Sequence, residues 1–278
     1  MCVAGATAQV HRFGVGLSGG VHTMFADSNL VNTWGGAAGI DFRYTYLIPV
    51  EGGRWYVGPR VGLEANWAMA GWKTGTTEQF TNTDYLGHAM EYTVYAKAQE
   101  THHHVYLGIP VMAEFKYYGL VAGVGVKAKA LLWTTSKTEI TSSDISAYYP
   151  DFDITIENDP SIGIVTDNKV SGARVTPEWH IAVVGEIGYE WALTKLRYLG
   201  VRLFAEYNVW NSFERDIKAS TRCINIAPID VKGEVAKVSL TPIYDASLTK
   251  FNALTIGVTL TYTYDVHSKR HHCNCLPY

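Results

Sequence analysis

Long apolar runs are missing from this 278-residue chain. None approaches the roughly 18 residues a membrane-crossing helix needs, which excludes a helical membrane protein and leaves a barrel open. No long stretch shows a helical period, so the chain reads as nearly all β. Charge of one sign is missing too. With 23 basic against 26 acidic residues the net charge is −3, and nothing points to nucleic acid. Cysteine is scarce: Cys2, Cys223, Cys273 and Cys275 are too few and too unevenly placed for a disulfide framework. Cys273 and Cys275 are also too close in sequence for an easy bridge to each other.

Aromatics and glycine are plentiful, with 18 Tyr, 8 Trp and 26 Gly. The stretch "NALTIGVTLTYTYDV" (252–266) shows how they are arranged. Thr255, Thr259, Thr261 and Thr263 fall on one parity, and Leu254, Ile256, Val258, Leu260, Tyr262 and Tyr264 on the other. A period of two means an extended strand with one apolar face and one polar face. Similar segments recur at 10–18, 34–48, 54–67, 104–115, 119–133, 178–193 and 199–210. Each can cross a bilayer at a tilt, which takes about 9–11 residues.

The connections alternate in length. Long links run over 19–33, 68–103, 134–177 and 211–250, and short ones lie near 49–54, 116–119 and 194–198. Short turns on one side and long loops on the other are the pattern of an outer-membrane barrel. The aromatics agree. Trp34, Trp67, Trp133, Trp179 and Trp210 fall at strand ends on the long-loop side. Trp55, Trp191, Tyr46, Tyr117, Tyr118, Tyr198 and Tyr264 fall near the short turns. Such rings belong between headgroups and hydrocarbon. Trp133 and Trp210 have inward parity, so either the outer girdle is imperfect or a bulge intervenes.

With the apolar parity assigned to lipid, the other parity is charged. It carries Arg12, Arg43, Arg60, Lys127, Lys129 and Arg202 against Asp41, Glu64, Glu114, Glu186, Glu190 and Glu206. Eight strands enclose only enough room for packed side chains. Buried charges survive there only when paired, so six against six predicts a salt-bridged, plugged lumen.

Eight alternating strands with short turns and four long loops resemble the small OmpA/OmpX-like outer-membrane barrels. The Gly-rich opening strand "FGVGLSGG" and the leader end "A-Q" are similar to the PorT-like outer-membrane β-barrel proteins of the Bacteroidota. The resemblance covers about residues 9–266 and fixes architecture better than activity. The last strand, Thr255 to Tyr262, also resembles the signal read by the barrel-insertion machinery, an edge open to β-augmentation. The chain lacks the separate peptidoglycan-binding domain of full-length OmpA-like proteins.

The expected organisation is a signal-peptide remnant over 1–8, with Ala6 and Ala8 before Gln9, an all-β, eight-stranded antiparallel transmembrane barrel over 9–266, and a periplasmic tail over 267–278. No catalytic, cofactor or metal residue is assigned. His102, His103 and His104 alternate across a strand and cannot all bind one ion without a kink; a polar strand end accounts for them. His267, His271, His272, Cys273 and Cys275 suit zinc or copper in type, but their spacing matches no closed site. Asp151 and Asp153 lack EF-hand spacing, and the acidic stretch 139–174 reads as a solvated loop. Glu186 and Glu190 stand about 13 Å apart along a strand, beyond the range of paired-carboxylate glycosidases. No Ser/His/Asp arrangement is placed for nucleophilic catalysis.

The expected role is therefore structural or surface-interacting. The expected partners are outer-membrane lipid, the insertion machinery, and an extracellular or host ligand met by loops 134–177 and 211–250. Tyr148, Tyr149 and Phe152 are the candidate anchors. A narrow channel or a component of an export apparatus is the alternative. An outer-membrane lipase, protease or acyltransferase and a soluble ligand-binding barrel rank below it.

Overall fold

The computed structural model describes residues 9–26, 30–50, 54–84, 86–171, 179–212, 224–226, 237–240 and 251–267. The leader 1–8 and the tail ligands His271, His272, Cys273 and Cys275 lie outside the described residues.

Among these residues the regular structure is entirely strand. In chain order the strands are β1 (Val10–Ala26), β2 (Val31–Val50), β3 (Trp55–Thr83), β4 (Ala89–Tyr117), β5 (Leu120–Tyr149), β6 (Ile154–Glu157), β7 (Ile164–Thr166), β8 (Asn168–Ser171), β9 (Trp179–Ala192), β10 (Arg197–Asn211), β11 (Ile224–Ile226), β12 (Lys237–Leu240) and β13 (Phe251–His267). Eight of them close a ring. β1 pairs β2, and pairing continues through β3, β4, β5, β9, β10 and β13 back to β1, antiparallel throughout. A closed ring has no edge, which is what lets a sheet satisfy every backbone polar group inside lipid.

The pleat sorts the side chains as the alternation predicts. Leu17, Ile40, Leu63, Ile109, Val124, Ile187, Leu203 and Leu260, one from each ring strand, are all exposed on the outer face. On β13 Ile256, Val258, Leu260, Tyr262 and Tyr264 point out, and Thr255, Thr259, Thr261 and Thr263 are buried inside. A soluble barrel would show the reverse.

Bulges resolve the two misplaced tryptophans. On β5, Leu131 pairs with Tyr106 and Trp133 with Val105, so Leu132 is the extra residue. On β10, Asn208 pairs with Ala182 and Trp210 with Ile181, so Val209 is extra. One inserted residue reverses parity beyond it. Trp133 and Trp210 therefore face outward, 49% and 52% exposed, and complete a ring with Trp34, Trp67 and Trp179. Tyr198 departs from the expected inner girdle. It turns into the lumen, where its ring lies under Lys116 at 4.1 Å and Arg12 at 5.1 Å.

The long connections contain far more strand than loop. β3 and β4 run on past the tryptophan ring to Thr83 and Ala89, and β5 to Tyr149. From Val105, level with Trp67 and Trp133, to Ala89 is about 50 Å of strand at 3.3 Å per residue. β6 and β8 pair onto this extension, and β11, β12 and β7 form a separate three-stranded sheet. The result is a β-built cap above the membrane.

Candidate functional site

β4 shows how lumen and cap are made from one face of one strand. Its even-numbered residues point inward along its whole length. From the periplasmic end they read Lys116 and Glu114, then Met112, Pro110 and Gly108, then Tyr106, His104, His102 and Glu100, then Ala98, Ala96, Val94, Tyr92 and Met90. Charge gives way to histidine and histidine to apolar side chains as the strand climbs.

The lowest level is an ion-pair network. Arg12 donates to both oxygens of Asp265, at 2.6 and 2.8 Å, and to Glu190 at 2.8 Å. Arg202 donates to Glu114 at 3.0 Å, to Glu190 at 2.7 Å and to Glu186. Arg60 donates to Glu114 at 3.0 Å and to Glu186, and Lys116 to Glu190 at 3.1 Å. Four cations thus face four carboxylates. Above them Lys127 bridges Glu64 at 2.5 Å and Glu206 at 2.7 Å, and Lys129 joins Glu206. Arg43 binds Asp41 at 2.6 Å. The lumen is balanced at seven against seven, because Lys116 and Asp265 join the twelve charges that alternation places inside. Lys116 sits next to the turn and Asp265 two residues from the end of the last strand, so both resemble turn and tail in sequence. Parity counted inward from Glu114 and Thr263 reaches them.

Glu186 and Glu190 lie further apart along β9 than their side chains do in space. Both reach the guanidinium of Arg202, with Glu114. The backbone spacing therefore does not keep these carboxylates apart; each is instead tied to arginine. Room for the network comes partly from glycine. A Cβ on Gly16 would stand 2.0 Å from Asp41 Oδ2. Beside the upper cluster a cavity of about 50 Å³ remains, lined among others by His22, Asn66, Tyr106, Lys129 and Thr259. It has space for a few waters.

The next level is a buried histidine layer. His102 and His104 point inward and stack with ring centroids 5.7 Å apart, while His103 points out and stacks on Trp67 at 5.9 Å. The alternation of the triplet is as the sequence predicts, but His102 and His104 are fully buried and do not form a solvated strand end. His104 Nδ1 meets the Thr134 hydroxyl at 3.1 Å, and His22 Nδ1 that of Thr255 at 2.9 Å. His180 Nδ1 meets Asn208 at 3.0 Å, and the Trp72 indole donates to Glu100 at 2.8 Å. No group of three ligands in metal-binding geometry occurs among the described residues.

The uppermost level is an apolar core. Met90, Tyr92, Val94, Ala96 and Ala98 of β4 pack with Ile145 and Ala147 of β5, Ile162, Ile224 and Val238. Tyr92 donates its hydroxyl hydrogen to the Ile162 carbonyl at 2.8 Å, and burial pushes its pKa up to about 12. Tyr149 packs against this core and Tyr148 donates to Asp153 at 2.9 Å, so of the three candidate anchors Phe152 is the one more than half exposed. The acidic stretch is solvated as expected: Asp144, Asp151, Asp153, Glu157, Asp159 and Asp167 are exposed. The signal for the cap was present in "MEYTVYAKAQETHHH", whose even positions continue the parity of 104–115 without a break.

An edgeless eight-stranded antiparallel ring with an apolar belt outside, paired charges inside and tryptophans at one rim is an integral β-barrel of the outer membrane. No protein-family model matches the sequence, and no curated protein does. Among solved structures the chain is similar to Neisserial surface protein A, at 7% identity and TM-score 0.33 over 90% of this chain and 95% of that one. It is also similar to Ail, the attachment invasion locus protein of Yersinia pestis, at 7% identity and TM-score 0.31 over 91% and 98%. The outer membrane protease OmpT of Escherichia coli matches at 11% identity and TM-score 0.28 over 95% and 100%. Scores this low assign no activity and no partner, and the barrel stands on its own strand pairing.

Proposed function

We propose that this protein is a closed outer-membrane scaffold whose work is done outside the cell by the cap. The observation that carries this is the continuity of β3, β4 and β5 from a lumen crossed by ion pairs into an extramembranous part with its own apolar core. A chain that only sealed a hole in the membrane has no use for about 50 Å of strand beyond it. A rigid barrel that raises a folded surface suits contact with a ligand or another cell. A non-enzymatic role is supported by the state of the seven carboxylates in the ion-pair clusters: a general acid needs a carboxylate free to give up a proton, and these are bound to arginine and lysine. The PorT-like kinship rests on the Gly-rich opening strand, and assembly through capture of β13 rests on its last-strand pattern.

Two measurements test the reading. In planar bilayers the purified protein should show no steady ion conductance; a stable conductance would favour the channel alternative. Shortening β3–β4 and β5 to turns just above the tryptophan ring should leave a barrel that still resists SDS until heated. The shortened protein should lose adhesion of displaying cells to protein-coated surfaces. Retained adhesion would sink the assignment to the cap.

A further inference from the structure

Charge on the β3–β4 and β5–β6 hairpins of the cap is sorted by height. No lysine or arginine occurs between Lys73 and Lys97, nor between Lys137 and Lys169. Register places Lys73 opposite Gln99, Lys97 opposite Gly75 and Lys137 opposite Thr101. These three exposed lysines thus form one band across three neighbouring strands, a short way above the tryptophan ring. Beyond the band the charged side chains of these two hairpins are acidic, and Glu91, Asp144, Asp151, Asp153 and Glu157 among them are exposed; the exposed Lys237 of β12, beside Ile164, belongs to the separate three-stranded sheet.

The same acidic end carries apolar side chains in solvent. Leu86 lies in the β3–β4 turn, Phe152 in the β5–β6 turn and Ile154 at the start of β6, and all three are more than half exposed. The His88 and Phe152 rings meet in a T-shaped contact with centroids 4.9 Å apart, which joins the two turns into one tip. None of the three belongs to the cap core, and lipid is far below. Apolar groups clustered at the far end of an extension add nothing to the fold and mark a contact surface.

We propose that this tip is a docking face for a cationic polypeptide surface. The proposal rests on the reading of the cap as the part that meets partners. Charge complementarity selects the occupant: the acidic rim attracts lysine- and arginine-rich surfaces and speeds their encounter. Leu86, Phe152 and Ile154 supply the apolar centre that rim charges alone lack. Anionic lipid is excluded by the same charge, and the sorting by height turns the tip away from a polyanionic cell surface.

The test uses the full chain in phosphatidylcholine nanodiscs. The probes are a fluorescent alternating Lys/Leu peptide, its Glu/Leu twin and an oligolysine of equal charge, with empty nanodiscs as background. The Lys/Leu peptide should bind, more weakly as salt is raised, and the oligolysine should bind less well. Affinity should fall at least tenfold in L86S/F152S/I154S and, separately, in D151N/D153N/E157Q. Asn at position 153 tolerates the left-handed backbone found there, φ 53°, so the turn is preserved. A K73E/K137E variant should bind as well as the parent. Equal binding of the Glu/Leu twin, or affinity within twofold in either tip variant, would overturn the proposal. If the cap-shortened protein loses binding while the tip variants keep it, only the tip assignment fails. If the cap-shortened protein binds fully, the wider reading fails with it.

Discussion

Arg202 ties three lumenal carboxylates together, and removing it tests whether the plug is as dry as it looks. Its side chain is 1% exposed and donates to Glu114, Glu186 and Glu190. Arg202→Met leaves three cations facing four carboxylates in the lower cluster. Breaking a buried ion pair by deleting one partner costs about 3–5 kcal/mol, because the remaining charge stays buried. Here the lower end applies. Arg60 still holds Glu114 and Glu186, and Arg12 and Lys116 still hold Glu190. A loss of about 3 kcal/mol is a little over a hundredfold in the folded-to-unfolded ratio. The repair is as informative as the damage. Adding Glu114→Gln restores three against three and should recover more than half of the loss. Denaturant unfolding from lipid vesicles, followed by tryptophan fluorescence and by SDS mobility of unheated samples, measures both. A single-variant loss under about 1 kcal/mol, the value of an exposed pair, would mean that water reaches the network. A second substitution that adds to the loss would refute the charge balance itself.

Three further outcomes follow from the same geometry. Tyr92→Phe strands the buried Ile162 carbonyl and should cost the cap about 1–3 kcal/mol, seen as faster proteolysis of the cap with unchanged heat-modifiability of the barrel. Gly58→Ala would put a Cβ 1.7 Å from the Tyr46 carbonyl oxygen, within the β2–β3 pairing, and should lower stability by about 1–3 kcal/mol and reduce the yield of folded barrel in vesicles. In the β3–β4 turn, slight burial opposes the charge of Asp84. Donation from the His88 amide and ring and from the Leu86 amide outweighs it and holds the carboxyl below its usual range. A depressed folded-state value stabilises the turn above the ordinary carboxylate pKa and is lost as pH falls through the lowered one. Protection of the Leu86 and His88 amides should drop there, and Asp84→Asn should flatten that dependence.

The barrel was legible because lipid and a narrow lumen demand opposite chemistry on alternate residues. Arg12, Asp41, Arg60 and Glu206 could be placed inside before any pairing was known, and Leu17, Ile40 and Leu260 outside. A bare count turns Trp133 and Trp210 inward; the bulges at Leu132 and Val209, the second of the two readings the sequence left open, turn them out. Tyr198 obeys the count, sharing the parity of Arg202 and Glu206, but its place in the girdle does not hold, because an aromatic ring suits both a headgroup layer and a pair of cations. The cap was missed for a different reason. Polar connections of 30 or more residues look like loops when read by composition, as with 68–103, but the parity of β4 runs through that link unbroken. Alternation gives His102 and His104 the right faces and not their environment, because composition reads the cap that buries them as loop.

The unbroken ladder from membrane to tip has a mechanical meaning. A partner that seizes the tip pulls nearly along β3, β4 and β5, while their hydrogen bonds run across the strands. Such a load reaches the whole row of bonds at once in shear and does not peel them one by one. Under a load applied at the tip, the contact would give way before the extension unravelled.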